Sequence, residues 1–152
     1  IILDMTDRQP ITVSSLSHDG IRKLVEERTS DQIVQILRFL EFDSSRNSWI
    51  VEISDGLSKI TALFTQDAAK MINTGSIKKY GITKIIDAEP YLEKGALSYL
   101  IVKKARIEQM VHPGVIGRPV EYHFYKSMGY KSFGGSNKAN ALETADEIDP
   151  II

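Results

Sequence analysis

The chain has 152 residues, a formal net charge of −1 and no cysteine. Those facts exclude a disulfide framework, a thiolate nucleophile and a Cys-type zinc site, and no apolar run approaches the ~18 residues of a membrane span. A chain whose main task is gripping phosphates is usually clearly basic, and this one is near neutral.

The average conceals a gradient. Between Leu57 and Arg106 there are nine Lys or Arg and four Asp or Glu, while the stretch 138–152 sets Lys138 against Glu143, Asp146, Glu147 and Asp149. The asymmetry predicts a basic working surface and an acidic tail.

The first residues, 1–15, are mixed and polar and read as an arm. Ser17 is positioned to cap a short amphipathic helix ending near Arg28, in which Ile21, Leu24 and Val25 form the apolar side. Gln32 to Phe42 (QIVQILRFLEF) is a β-rich run with apolar residues at both parities, so both of its faces are expected to be covered. Trp49 to Ile53 is a second strand with Trp49, Val51 and Ile53 on one face. Asp55-Gly56 is a strong hairpin signal, and Leu57 to Phe64 returns as a third strand.

Gln66 to Asn73 reads as a brief helix stopped by Gly75. Ile82 to Ala88 is a fourth strand, expected to end at Pro90 because proline cannot donate to a ladder. Glu93-Lys94-Gly95 is a turn, and Leu97 to Ile107 a fifth strand. Beyond it Pro113-Gly114, Gly117, Pro119 and Gly134-Gly135 mark loops. The order, a helix, three strands, a helix, two strands, predicts an all-β domain with short helices: a five-stranded OB-fold Greek-key barrel with capping helices. It is expected over 16–123, with a flexible linker over 124–152.

Catalytic signatures are missing. His18, His112 and His123 fall in three different regions with no metal-ligand spacing. There is no phosphate-binding glycine loop and no nucleophile elbow. Carboxylate pairs such as Asp4/Asp7 lie in the tails, where no burial tunes their proton affinity. The expectation is a non-enzyme that uses no cofactor and no metal.

Six segments in order resemble one family. Ile53-Ser54-Asp55-Gly56 with Ala62-Leu63 is similar to the I/M-S-D-G-x(5)-A/S-L/F hairpin of the replication protein A large-subunit N-terminal domain. Ile33-Val34-Gln35-Ile36-Leu37 resembles its first strand, Leu16-Ser17-x-x-Gly20-Ile21 its opening helix, and Ile85-Ile86-Asp87-Ala88-Glu89-Pro90 its fourth strand. Ile116-Gly117-Arg118-Pro119-Val120-x-Tyr122 is similar to a post-barrel signature, and Lys131-Ser132-Phe133-Gly134 to a linker motif. The resemblance implies a nuclear, non-catalytic recruitment domain in single-stranded-DNA metabolism: DNA replication, repair, recombination and checkpoint signalling. Its implied partners are acidic amphipathic segments held in a side groove, the other subunits through the rest of a longer chain, and single-stranded DNA weakly. The implied alternative is a primary single-stranded-DNA or telomere-binding barrel of a telomerase-associated paralogue.

The family lines its groove with arginines, and this chain departs from that. The matching positions carry Leu40, Ser48, Ile50, Glu93 and Ala96. The groove expected here is apolar, with Leu40, Ser48, Ile50, Ala62, Phe64 and Leu92 as lining and Arg38, Arg46 and Lys94 as rim charge. Lys78, Lys79, Lys103, Lys104 and Arg106 are candidates for a phosphate track. Trp49 is read as core in preference to a base-stacking platform. The tail, in which Leu142, Ile148, Ile151 and Ile152 interleave with acids, has the composition of a groove ligand.

Overall fold

In the computed structural model, residues 15–126 are described. The arm, the Lys131–Gly134 motif and the acidic tail lie outside them. The described residues 15–91 and 97–123 form one compact unit, and 92–96 with 124–126 a second.

The strands are β1 (Gln32–Asp43), β2 (Ser48–Ser54), β3 (Ser58–Phe64), β4 (Ile82–Glu93), β5 (Ala96–Gln109) and β6 (Val120–Glu121). β2 pairs with both β1 and β3, and the remaining order β1-β4-β5-β3 closes a five-stranded barrel of the OB type. Ladders are antiparallel except where β5 and the short β6 run parallel to β3. The helices are α1 (Gly20–Arg22), continued by a π-helical turn Lys23–Glu27, and α2 (Gln66–Asn73).

Strand alternation fills the barrel. Val51 and Ile53 from β2, Ile60, Ala62 and Phe64 from β3, and Leu100 and Val102 from β5 are all buried, and fully burying one such large side chain is worth roughly 1.5–3 kcal/mol. β1 bends with the wall through two bulges. Leu37 and Arg38 together oppose Glu52, and Leu40 and Glu41 together oppose Ile50. Each extra residue adds local twist, which lets one long strand serve β4 at its start and β2 at its end.

Pro90 does not end β4, which continues to Glu93. Beyond Ile85 the ladder to β1 has stopped, so a residue without an N–H is tolerated on that unpaired side. The β4–β5 turn is two residues, Lys94 and Gly95, both at positive φ (53° and 86°). That is the backbone of a type I′ hairpin, whose twist matches the strands it joins.

Ser17 does not cap α1. Its Oγ accepts the N–H of Ile33 at 2.7 Å, and the N–H of Ile21 is taken by Asp55 Oδ2 at 3.1 Å. Asp55 is buried in the β2–β3 turn, where its other oxygen accepts from Leu57 and Ser58 at 2.9 and 2.7 Å. One carboxylate therefore closes a hairpin and caps a helix.

The segment after β5 is not free loop. Gln35, fully buried on β1, donates through Nε2 to the carbonyls of Tyr80 and Gly114 (3.1 and 2.8 Å) and accepts through Oε1 from Ile116 N–H (2.8 Å). Both amide N–H groups and one lone pair of the oxygen are used. Ile116 then packs with Leu16 and Ile82, with Ile33 beside them. Val120 and Tyr122 donate to the carbonyls of Leu57 and Lys59, which forms β6, and the Tyr122 hydroxyl reaches Glu26.

Candidate functional site

The outward face of the barrel is built by the same alternation that fills its interior. On β2, Ile50 and Glu52 point away from the core because Val51 and Ile53 point into it. Ile50 is opposite Leu63 on β3, and Leu63 is in register with Ile101 on β5. With Leu40 in the β1 bulge, the four make an apolar row across four strands. Leu40 is 43 % exposed, and the other three are half-buried.

This geometry corrects two predicted lining residues. Ala62 and Phe64 are 0 % exposed and face the barrel interior. The outward residue between them is Leu63, which the expectation lacked. Ser48 is also withdrawn from any surface: it is 1 % exposed, and its Oγ donates to the Arg46 carbonyl at 3.1 Å. Leu40 and Ile50 do line the face. Arg38 stands on it, and Arg46 is exposed in the β1–β2 turn beside Asp43 (3.6 Å). Leu92 and Lys94 belong to the second unit, Leu92 half-buried and Lys94 exposed at the hairpin turn.

Charge borders the apolar row on both sides. Glu52 on β2 takes Arg38 Nε at 3.2 Å on one oxygen and Lys59 Nζ at 3.9 Å on the other. Glu89 on β4 takes Arg28 at 3.9 Å and Lys103 at 3.8 Å in the same divided way. Lys103 and Tyr99 lie two residues either side of Ile101 and share its face. Tyr99 stacks on Tyr91 at 5.0 Å with the rings 25° apart.

No protein-family model matches the chain, and no curated protein does.

The basic residues proposed for a phosphate track are divided between faces. Lys103 shares the outward face of Ile101, while Lys104 and Arg106 alternate to the other side of β5. Arg106 is held by Glu108 at 3.1 Å. Lys78 and Lys79 are exposed in the turn before β4, with the Lys79 ammonium 5.0 Å from the Tyr80 ring centroid. Trp49 is wedged, with Phe42 and Phe39 at 4.9 and 5.7 Å and its Nε1 donating to Asn73 Oδ1 at 2.9 Å. Those contacts tie the strand to the end of α2 and use the indole's only donor.

The carboxyl of Asp43, at the edge of this face, is held below the usual Asp range. The leading cause is the hydrogen bond from the Ser45 hydroxyl, followed among the favourable causes by the N–H groups of Ser45 and Arg46.

Proposed function

We propose that this chain is a non-catalytic docking domain that receives acidic amphipathic segments of other proteins on the outer face of its barrel. The single observation that carries the reading is the Leu40–Ile50–Leu63–Ile101 row with cations along both borders. A helix with apolar residues at i, i+3, i+4 and i+7 covers neighbouring members of such a row, Ile50 and Leu63 at its centre. Burial at ~25 cal/mol per Å² supplies the affinity, while the bordering cations steer encounter and select acids.

The chain's resemblance to the replication protein A large-subunit N-terminal domain extends the proposal to its setting. We read it as a recruitment module in the nucleus, bringing replication, repair, recombination and checkpoint proteins to single-stranded DNA. Supporting this, the resembling segments hold one another: Asp55 caps Ile21, Ser17 binds Ile33, and Gln35 binds Ile116.

Calorimetric titration with an acidic amphipathic peptide tests the docking. Micromolar binding is expected, weakened about fivefold or more by Leu63→Thr or Ile50→Thr, since each removes apolar contact worth on the order of 1 kcal/mol. Failure to bind at high micromolar peptide overturns the reading.

A second reading has one observation in its favour, the Tyr91–Tyr99 stack, with Tyr91 exposed and Tyr99 half-buried on the strand that carries Lys103. Bases stack on such rings for ~1–3 kcal/mol each, which suits a primary single-stranded-DNA or telomeric barrel. Fluorescence anisotropy with an oligonucleotide at two salt concentrations separates the two: tight binding at physiological salt favours the second.

A further inference from the structure

We propose that Glu52 and Glu89 are resident competitors for the partner's acidic side chains, so that two of the domain's own carboxylates hold the docking face below its full affinity. This rests on the docking reading above.

The two sites have the same construction. Each carboxylate gives one oxygen to a cation from one element and the other oxygen to a cation from a second. For Glu52 these are Arg38 from β1 and Lys59 from β3; for Glu89 they are Arg28, which follows the π-helical turn, and Lys103 from β5. By register the Glu52 cluster lies to one side of Ile50 and Leu63, and Lys103 to the other side of Ile101, so each stands where a helix on its part of the row would bring flanking acids.

The contacts are 3.2–3.9 Å, and the side chains of Arg28 and Arg38 are more than half exposed. The pairs of Glu89, whose side chain is 46 % exposed, bind weakly, so their cations can change partner at little cost; Glu52 is largely covered at 12 %, and of its two cations the exposed Arg38 is the one free to turn outward. An incoming carboxylate meets a cation already engaged and a like charge beside it. A neutral amphipath meets neither obstacle and gains nothing from the cations. The residents therefore set how many acids a partner needs before its charge counts.

Glu41 supplies the control. It is exposed on the same face, opposite Ile50 in the bulge, and no ion pair to it is found among the described residues. Removing its charge alters the field without releasing a cation.

The experiment uses the full chain with Glu52→Gln, Glu89→Gln, both together, and Glu41→Gln. Each is titrated with an acidic amphipathic peptide, with the same peptide carrying Gln for Glu, and with an oligothymidylate, at low and high salt. Each released pair should tighten the acidic peptide about fivefold at low salt, and the double variant about twentyfold. The gain should vanish at high salt and be absent for the neutral peptide. Glu41→Gln should change affinity about twofold or less.

Wild-type binding with no tightening in the Gln variants overturns the competitor role and leaves docking standing. Equal tightening by Glu41→Gln also overturns it, since net charge alone would then suffice. Tightening of the oligonucleotide while the peptide is unmoved assigns the cations to nucleic acid and overturns it too. Absence of peptide binding by every form removes docking and this inference together. Glu89, the more exposed carboxylate, decides the matter if Glu52→Gln does not fold.

Discussion

The Asp55 carboxylate accepts the backbone N–H of Ile21, 34 residues away in sequence, at 3.1 Å in the protein interior. The hairpin turn and the first helix therefore share one acceptor. Gly20 fits between them with no room to spare, since a Cβ there would lie 3.1 Å from the Ser17 Cβ and 3.6 Å from the Asp55 Cβ. Removing the acceptor orphans N–H groups of two elements at once.

Asp55→Ala should therefore cost about 3–4 kcal/mol in chemical denaturation, since buried donors left unpaired lose roughly 1–3 kcal/mol each and relaxation recovers part of that. Asp55→Asn keeps one acceptor oxygen and should lose about half as much. A loss under about 1 kcal/mol for Asp55→Ala would show that water replaces the carboxylate.

Gln35→Leu is similar in volume but severs the segment around Ile116 from the barrel. About 2–3 kcal/mol should be lost, because the carbonyls of Tyr80 and Gly114 and the N–H of Ile116 all lose their partner. Hydrogen exchange at Ile116, Val120 and Tyr122 should accelerate more than at β2 or β3. Uniform acceleration across the barrel would mean that the segment does not open by itself.

Gly81 meets backbone, not side chain. An added Cβ would stand 2.9 Å from the Met110 carbonyl oxygen and 3.0 Å from that of Lys78. Neither atom can rotate away, so Gly81→Ala should destabilise by roughly 1–3 kcal/mol. Gly114→Ala, where nothing lies within 4 Å of the new carbon, is the matched control and should be near neutral.

Asp43 gives a pH prediction. Its folded-state pKa is lowered, first by the Ser45 hydroxyl. The stabilisation is therefore present above the ordinary Asp value of about 3.9 and is lost as pH falls through the lower folded value. Carbon-13 titration should place the Asp43 midpoint below the ordinary aspartate value, and Ser45→Ala should raise it. A midpoint unchanged by Ser45→Ala would remove the hydroxyl as the cause.

Much of the barrel was legible because its signals are local. Gln66–Asn73 forms a helix over the predicted residues: Ala68, Ala69 and Ile72 supply one apolar side, and Gly75, at φ 83°, follows its end. The β2–β3 hairpin follows from Asp55-Gly56, with Gly56 at φ 95°. What escaped depends on partners far along the chain. The cap on Ile21 lies in another hairpin. The strand at Val120 exists because Leu57 and Lys59 offer it carbonyls. Pro90 lies within a strand because the neighbouring ladder has already ended.

The outward apolar row was only partly legible. Ile50 was assigned by resemblance, and the alternation of β2 turns it outward. Ala62 and Phe64 were assigned by resemblance against the alternation of their own strand, in which Ile60, Ala62 and Phe64 turn inward and Lys59, Thr61 and Leu63 outward. Ile101 was hidden in a run that is apolar at both parities, where only register to Leu63 assigns a face. The clasped glutamates could not be read at all, because each joins residues from three elements.

The doubled residues at Leu37–Arg38 and Leu40–Glu41 bear on how β1 finds its place against β2. A plain ladder can slip, and a slip of one residue turns every side chain to the opposite face. Two bulges at fixed positions pin the alignment, since any other pairing would misplace both extra residues.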